Sequence, residues 1–251
     1  MNPRHDDVTI LIYTFPWPGS ESGVFSRIQA SLERTWAMVG RLKTVIVASH
    51  HFEAVDVFSA ANPEIELQIE SSLIPGKIKT MSMDCIKRLH TRFSTPYVLI
   101  IQDDGYPVRG NLDEFIGKAD FWGAPIISDG WKRRLAYSIG LGSFNGGFSL
   151  RTHRICAYAS KAWRYFFRFL FREDSQFLGE DFYYTTLIKL LPTTWFRYRF
   201  PGEDQAFHFS FDALDGHVKL PIETVRPFGI HGKSTIKIMD KLLGGTPDGT
   251  H

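Results

Sequence analysis

Apolar residues between positions 8 and 101 change texture at intervals, and each change predicts an element. The run over residues 8–15 is apolar and β-branched, which predicts a strand, and Pro16, Pro18 and Gly19 break it. Val24, Ile28, Leu32 and Trp36 then recur every four residues and predict a helix. Residues 44–48 predict a second strand. Residues 65–69 alternate apolar and polar, which suits a third strand near a sheet edge. After Pro75-Gly76, the positions Ile78, Met81, Cys85 and Leu89 mark one helix face, and residues 97–101 predict a fourth, fully buried strand. This strand–helix alternation implies an α/β fold with a mostly parallel sheet, right-handed crossovers and flanking helices, Rossmann-like in type.

The pattern is less regular beyond residue 106. Residues 111–117 read as a short helix capped by Asn111. A polar loop is expected over residues 130–134. Asn145-Gly146-Gly147 has turn chemistry and leads into a predicted helix of about 20 residues after Arg151. Another helix is expected from Glu180 to Leu191, stopped by Pro192. From Gly244 onward, three glycines and a proline within eight residues predict a flexible tail, 244–251. With no internal repeat and no linker, the economical reading is one domain over residues 1–243. Its two interleaved halves are a nucleotide-binding half, 1–106, and an acceptor or catalytic half, 107–243.

Composition narrows the function classes. The chain has 251 residues, 43% of them hydrophobic, which suffices for a sizeable core. Lys and Arg total 29 against 27 Asp and Glu, a balance that argues against nucleic acid as partner. Cys85 and Cys156 fit no metal spacing and read as buried thiols. No Gly-x-Gly-x-x-Gly follows the first strand, and Gly232-Lys233-Ser234 lacks the upstream glycine of a phosphate loop. The first residues lack the apolar core of a signal peptide, and no run approaches the ~18 apolar residues of a membrane span, so a cytoplasmic location is expected.

Candidate chemistry starts at the end of the fourth strand. An unbroken apolar run ends there in Asp103-Asp104-Gly105. Unpaired charges cannot lie inside a strand buried on both faces, so the pair belongs at the carboxyl edge, where open α/β sheets bind ligands. A hard cation with substrate phosphates suits such a place, and a solvated turn is the plainer alternative. Glu180-Asp181 at a helix start either complements the helix dipole or supplies a base. His231, with glycines on either side, is a candidate metal ligand beside Asp104, better matched to Mn²⁺ than to Mg²⁺, and Lys233 could meet a phosphate. In the helix after Arg151, the residues Arg154, Lys161, Arg164, Arg168 and Arg172 share one face among seven aromatic or leucine side chains. That stripe suits either a core helix with a wet basic edge or a helix lying on a membrane surface.

Six short elements in order give these pieces a common meaning. They are Gln102-Asp103-Asp104, Asp120-Phe-Trp-Gly-Ala-Pro125, Asn145-Gly-Gly-Phe-Ser-Leu-Arg151, Glu180-Asp181, Pro201-Gly-Glu-Asp-Gln-Ala206 with Phe209-Ser210, and Phe228-Gly-Ile-His231. Together they resemble the GT-A type glycosyltransferases, and among these a group of bacterial domains of formerly unknown function linked to surface polysaccharide assembly. The resemblance implies a GT-A-like single domain that moves a hexose from a nucleotide diphosphate sugar, UDP-linked, to a saccharide or lipid-linked saccharide acceptor. It implies Mn²⁺ or Mg²⁺ at Asp104 and His231, Thr14 at the nucleotide base, and Lys79, Asp103 and Lys233 toward the ribose and diphosphate. Trp122, Gly123, Asn145, Gly146 and Gly147 would line the sugar and acceptor cleft. Asp181, with Glu180 beside it, would be the acceptor base of an inverting reaction or an orienting group in a retaining one. A location at the inner face of the cytoplasmic membrane would follow if the acceptor is lipid-linked.

The sequence departs from the family pattern at one place. Its metal motif reads Gln102-x-Asp104, with an amide where relatives carry a second aspartate. A catalytically silent carbohydrate- or nucleotide-binding domain is therefore a standing alternative. A sugar nucleotidyltransferase is a weaker one, since the loop over residues 15–23 has no Lys or Arg to hold a triphosphate.

Overall fold

A computed structural model of the chain describes residues 5–125, 144–170, 179–212 and 226–236. The expected loop at 130–134, the tail 244–251 and Arg172 lie outside the described residues. The N-terminal alternation is realised as β1 (Val8–Thr14), α1 (Glu21–Val39), β2 (Thr44–Ala48), α2 (Glu53–Ala61), β3 (Ile65–Ile69), α3 (Ile78–Arg88) and β4 (Tyr97–Ile101). α2 was not anticipated, because only Val55 on it is buried and no apolar period stands out. Ile78 opens α3 but is 64% exposed, so the buried face of that helix starts at Met81.

The second half contributes β5 (Gly105–Pro107), β6 (Phe121–Pro125) and β7 (Phe144–Thr152). A helix α4 follows over residues 153–170, with a wide π-helical turn at Trp163–Phe167. Next come α5 over residues 180–190, α6 (Pro192–Trp195), α7 (Glu203–Phe209), β8 (Ser210–Asp212) and β9 (Gly229–His231). The main sheet has the order β3-β2-β1-β4-β7-β6, and β5-β9-β8 form a small second sheet. β1 to β4 are parallel, and β7 runs antiparallel to both β4 and β6. The result is a single α/β domain with a mostly parallel sheet, in which β1 to β4 come from the first half of the chain and β7 and β6 extend the sheet beyond β4.

Several expectations need correction. Asn145-Gly146-Gly147 is not a turn leading into a helix but the start of β7, whose residues 149–151 pair with β4 on one side and β6 on the other. The helix begins only at His153, where the Thr152 hydroxyl accepts a hydrogen bond from the Ile155 N–H as its cap. Glycines read as turn signals when the neighbouring strands are not known. The 111–117 helix shrinks to a single 3₁₀ turn, Leu112–Glu114, and the Asn111 amide donates to Glu114 instead of capping. Pro192 does end α5, and it also opens α6, at the first-turn position proline tolerates.

Both sheet faces are covered. Leu11, Val45, Val98, Ile100 and Phe121 pack beneath α3, α4 and α5 on one side, while Ile10, Ile12, Ile46 and Leu99 meet α1 on the other. Each fully buried aliphatic of this kind contributes about 1.5–3 kcal/mol. An ionic network closes one edge: Glu70, just past β3, receives Arg88 at 3.0 Å and Arg92 at 2.6 Å. The same arginines hold the buried Asp84, which also accepts the Tyr13 hydroxyl at 2.7 Å.

Candidate functional site

The chain builds β1, β2 and β3 outward, then returns to place β4 on the other side of β1, so the switch point lies between the carboxyl ends of β1 and β4. A cavity of about 260 Å³ opens there, lined by Thr14, Phe15, Trp17, Gly76, Gln102 and Asp103. The Thr14 hydroxyl oxygen is buried in its wall without a hydrogen-bond partner. Such a group costs about 1–3 kcal/mol unless a ligand or water satisfies it.

Past β4 the two aspartates part. Asp103 turns to α1 and accepts from Arg27 Nε at 2.9 Å. Asp104 turns to β9. The intervening turn is pinned by the Ser31 hydroxyl, which donates to the carbonyls of Gln102 and Gly105. The small sheet sets the rest, since its register pairs His231 with both Gly105 and Asp212. His231 Nδ1 stands 3.3 Å from Asp212 Oδ2, and its Nε2 stands 3.1 Å from Gln102 Oε1 and 3.4 Å from Asp104 Oδ1. Burial opposes a charge on this ring, but the Asp212 hydrogen bond and the Asp104, Asp212 and Glu180 charges outweigh it and raise the pKa above the usual imidazole value. Asp212 is held in turn by the Asn145 amide, whose oxygen accepts the Gly147 N–H at 2.7 Å.

A second cluster lies against the same glycines. Arg151 is wholly buried on β7, its guanidinium between the Phe121 and Tyr184 rings at 4.8 and 4.6 Å. Its Nη2 is 3.6 Å from Glu180 Oε1 and donates to the Gly146 carbonyl. Glu180 also accepts the Ser82 hydroxyl at 3.2 Å. Asp181 lies against Glu180 and the Gly146 backbone, and its Oδ1 is enclosed without a hydrogen-bond partner. Burial, then the neighbouring Glu180 charge, push the Asp181 pKa well above the usual carboxylate value despite Arg151.

Gly146 and Gly147 join the two clusters. A β-carbon on Gly146 would overlap the Asp181 and Glu180 carboxylates and the Arg151 guanidinium, and one on Gly147 would overlap His231 and Gln102. Asn145, Gly146, Gly147, Asp104, His231, Glu180 and Asp181 are thus brought together, with Thr14 and Asp103 in the adjoining cavity. Other expected residues stand elsewhere. Trp122 is buried in the core, donating its indole N–H to the Phe115 carbonyl at 3.1 Å and stacking on Phe209. Gly123 serves close strand packing, since a β-carbon there would strike the Asn145 carbonyl oxygen. Lys79 lines a separate groove with Ser72, Ile74 and Thr80, and Lys233 is exposed at the start of the helical turn 233–236 that follows β9. Asp212, Arg151, Ser82 and Arg27 were not singled out from sequence. A lone Asp in Phe209-Ser-Phe-Asp212 or an Arg closing β7 carries no local signal.

The family resemblance implies a divalent cation. Among the described residues no group of three or more His, Cys, Asp or Glu side chains is arranged to hold one. The donors that do converge are the Asp104 carboxylate, the Gln102 amide oxygen and His231 Nε2. Asp212 holds the other ring nitrogen, as carboxylates commonly do behind a metal-bound imidazole. This mixed oxygen and nitrogen set fits Mn²⁺ better than Mg²⁺.

No curated protein matches the sequence. Among solved structures, the apo glycosyltransferase GlyE of Streptococcus pneumoniae TIGR4 superposes with a TM-score of 0.54 at 13% identity, over 90% of this chain and 54% of that one. The S. cerevisiae mannosyltransferase Ktr4p in complex with GDP gives 0.47 at 10% identity, over 71% of this chain and 63% of that one. The chain therefore spans less than two thirds of the length of either structure. The fold is of the GT-A glycosyltransferase type. Residues 68–231 match the model of a family described as a protein of unknown function, DUF5672, and since that match takes in more than half of the chain, the protein belongs to this family.

Proposed function

We propose that the protein is a glycosyltransferase that moves a hexose from a nucleotide diphosphate sugar, UDP-linked, to a saccharide acceptor. The observation that carries this reading is the meeting of two unlike clusters at Gly146-Gly147. One side offers Asp104, Gln102 and His231, and the other offers a buried carboxyl with a raised pKa. The cavity beside Thr14 and Asp103 supports a nucleoside next to the first cluster. Asp104, Gln102 and His231 would hold a divalent cation, which when bound would neutralise the departing diphosphate.

The chain's own residues supply the rest. The bare backbone of Gly146-Gly147 lets the transferred sugar approach without steric conflict. Asp212 and Asn145 fix the His231 ring, and Arg151 with Ser82 fixes Glu180. Asp181, kept basic by burial and by Glu180, takes the proton of the acceptor hydroxyl, since a raised pKa makes a stronger base once the group is ionised. An acceptor in surface polysaccharide assembly, lipid-linked at the inner face of the cytoplasmic membrane, is consistent with this arrangement. The test is nucleotide release by purified protein from UDP- and GDP-hexoses with Mn²⁺ and a saccharide acceptor. Release from one donor class supports the assignment. Tight nucleotide binding with no release from any donor favours the silent binding domain, to which Gln102 in place of a carboxylate lends weight.

A further inference from the structure

The aromatic stretch of α4 is only half used by the core. Trp163 and Phe167 are buried, yet Tyr165 is 72% exposed, Phe166 49%, Phe169 71% and Leu170 63%. The π-helical turn explains the split, because an extra residue in one turn rotates the remainder of the helix and sends apolar side chains outward as well as inward. It also breaks up the single basic face expected for a regular helix. Arg154 is drawn away to the buried Asp120 carboxylate, with Nη2 2.7 Å from Oδ2. Lys161, Arg164 and Arg168 stay exposed, and among the described residues no carboxylate pairs with them. Arg164 and Arg168 line a groove of about 330 Å³ together with Ser160 and Trp163.

We propose that this end of α4 docks on an anionic bilayer surface. Arginines that no carboxylate among the described residues pairs with call for anionic partners, while four exposed apolar side chains within six residues call for a medium into which they can sink. The headgroup and acyl boundary of an anionic membrane supplies both at one depth. Aromatic side chains favour that boundary. The helix that carries this surface also packs by its buried face on α5, the helix that opens with Glu180-Asp181. Tyr183, two residues after Asp181, packs its ring on Trp163 at 6.0 Å and on Phe167 at 5.3 Å. The docking stands on the exposed surface alone and does not depend on glycosyl transfer.

Flotation of the full chain with phosphatidylcholine vesicles, with and without phosphatidylglycerol, at low and high salt, tests the inference. The protein is expected to float with the anionic vesicles at low salt and much less at high salt. The variant F166S/F169S/L170S should stay in solution. R164Q/R168Q should lose about 20-fold or more in partition. Both variants should keep the wild-type unfolding transition and the same nucleotide release as the wild type in detergent-free solution. Absence of flotation, equal flotation with neutral vesicles, or flotation that survives both variants would overturn the proposal. So would a concentration-dependent dimer that F166S/F169S/L170S abolishes, which would assign the patch to a second copy of the chain.

Discussion

Arg151 and Glu180 form an ion pair with almost no water around it: the guanidinium is fully buried, the carboxylate nearly so, and Nη2 lies 3.6 Å from Oε1. The pair connects β7, the strand next to the sheet edge, to the start of α5, the two elements that carry the glycines and Asp181. Removing one partner of a buried pair leaves a charge stranded, at a cost of about 3–5 kcal/mol. Arg151→Met should therefore lower stability by that order in urea unfolding, and Arg151→Met/Glu180→Gln should recover a good part of the loss. Arg151→Lys should be destabilising as well, since an ammonium cannot fill the planar slot between Phe121 and Tyr184. Equal stability of Arg151→Met and wild type would dismiss the pair as a structural element.

Asp181 gives the transfer reaction a pH signature. Its raised pKa means that the ionised form gains population only as pH climbs above the usual carboxylate range, so turnover should rise with pH through that value. Glu180→Gln removes the second-largest cause of the shift, so the rising limb should move to lower pH. Asp181→Asn should cost about 100-fold or more in turnover above the rising limb, and the difference should shrink as pH falls below it. A pH–rate profile of the three proteins checks this. A limb that stays in place in Glu180→Gln would argue against coupling between the two carboxyls.

Acid stability should depend on Glu70. Burial acts against its charge, but Arg92, Ser72 and Arg88 together hold its pKa down to about 2. A depressed carboxylate stabilises the fold above its unfolded value, and that stabilisation is lost as pH falls through the folded one. The loss attributable to Glu70 should run from about pH 4.5 down to about pH 2. Glu70→Gln should destabilise the protein by about 1–3 kcal/mol at pH 7 and bring its unfolding midpoint close to wild type at the acid end. Parallel pH dependences for the two proteins would contradict the assignment.

The two glycines should separate by function. Gly147→Ala drives a methyl group into His231 and Gln102, whereas Gly146→Ala drives one into Asp181, Glu180 and Arg151. Overpacking of this kind costs about 1–3 kcal/mol. Gly147→Ala should weaken nucleotide binding, while Gly146→Ala should mainly reduce turnover. Calorimetric titration with UDP and a turnover assay read the two effects, and identical losses in both variants would count against two distinct clusters.

Much of this was legible in the chain, and the failures share a cause. Strands buried on both faces announce themselves as apolar runs, so β1, β2 and β4 could be bounded to within a residue. β7 could not, because Asn145-Gly-Gly looks like a turn unless the side chains that crowd its glycines, Gln102, His231, Glu180 and Asp181 among them, are known. Glu180-Asp181 and Asp104 stood out as acidic groups at element ends. Asp212 and Arg151 did not, because their significance comes from register across β8 and β9 and from burial under α5. Trp122, which the family resemblance assigns to the sugar and acceptor cleft, packs in the core on Phe209 and Phe115, where strand alternation turns its side chain.

The central claim is a donor-binding cluster and an acceptor base meeting at one glycine pair, and paired measurements on Asp104→Ala and Asp181→Asn test it most directly. UDP affinity with Mn²⁺ should fall about 10-fold or more in Asp104→Ala, each tenfold corresponding to about 1.4 kcal/mol. Asp181→Asn should keep that affinity and lose turnover of the donor sugar. Unchanged UDP affinity in Asp104→Ala, together with unchanged turnover in Asp181→Asn, would contradict the account.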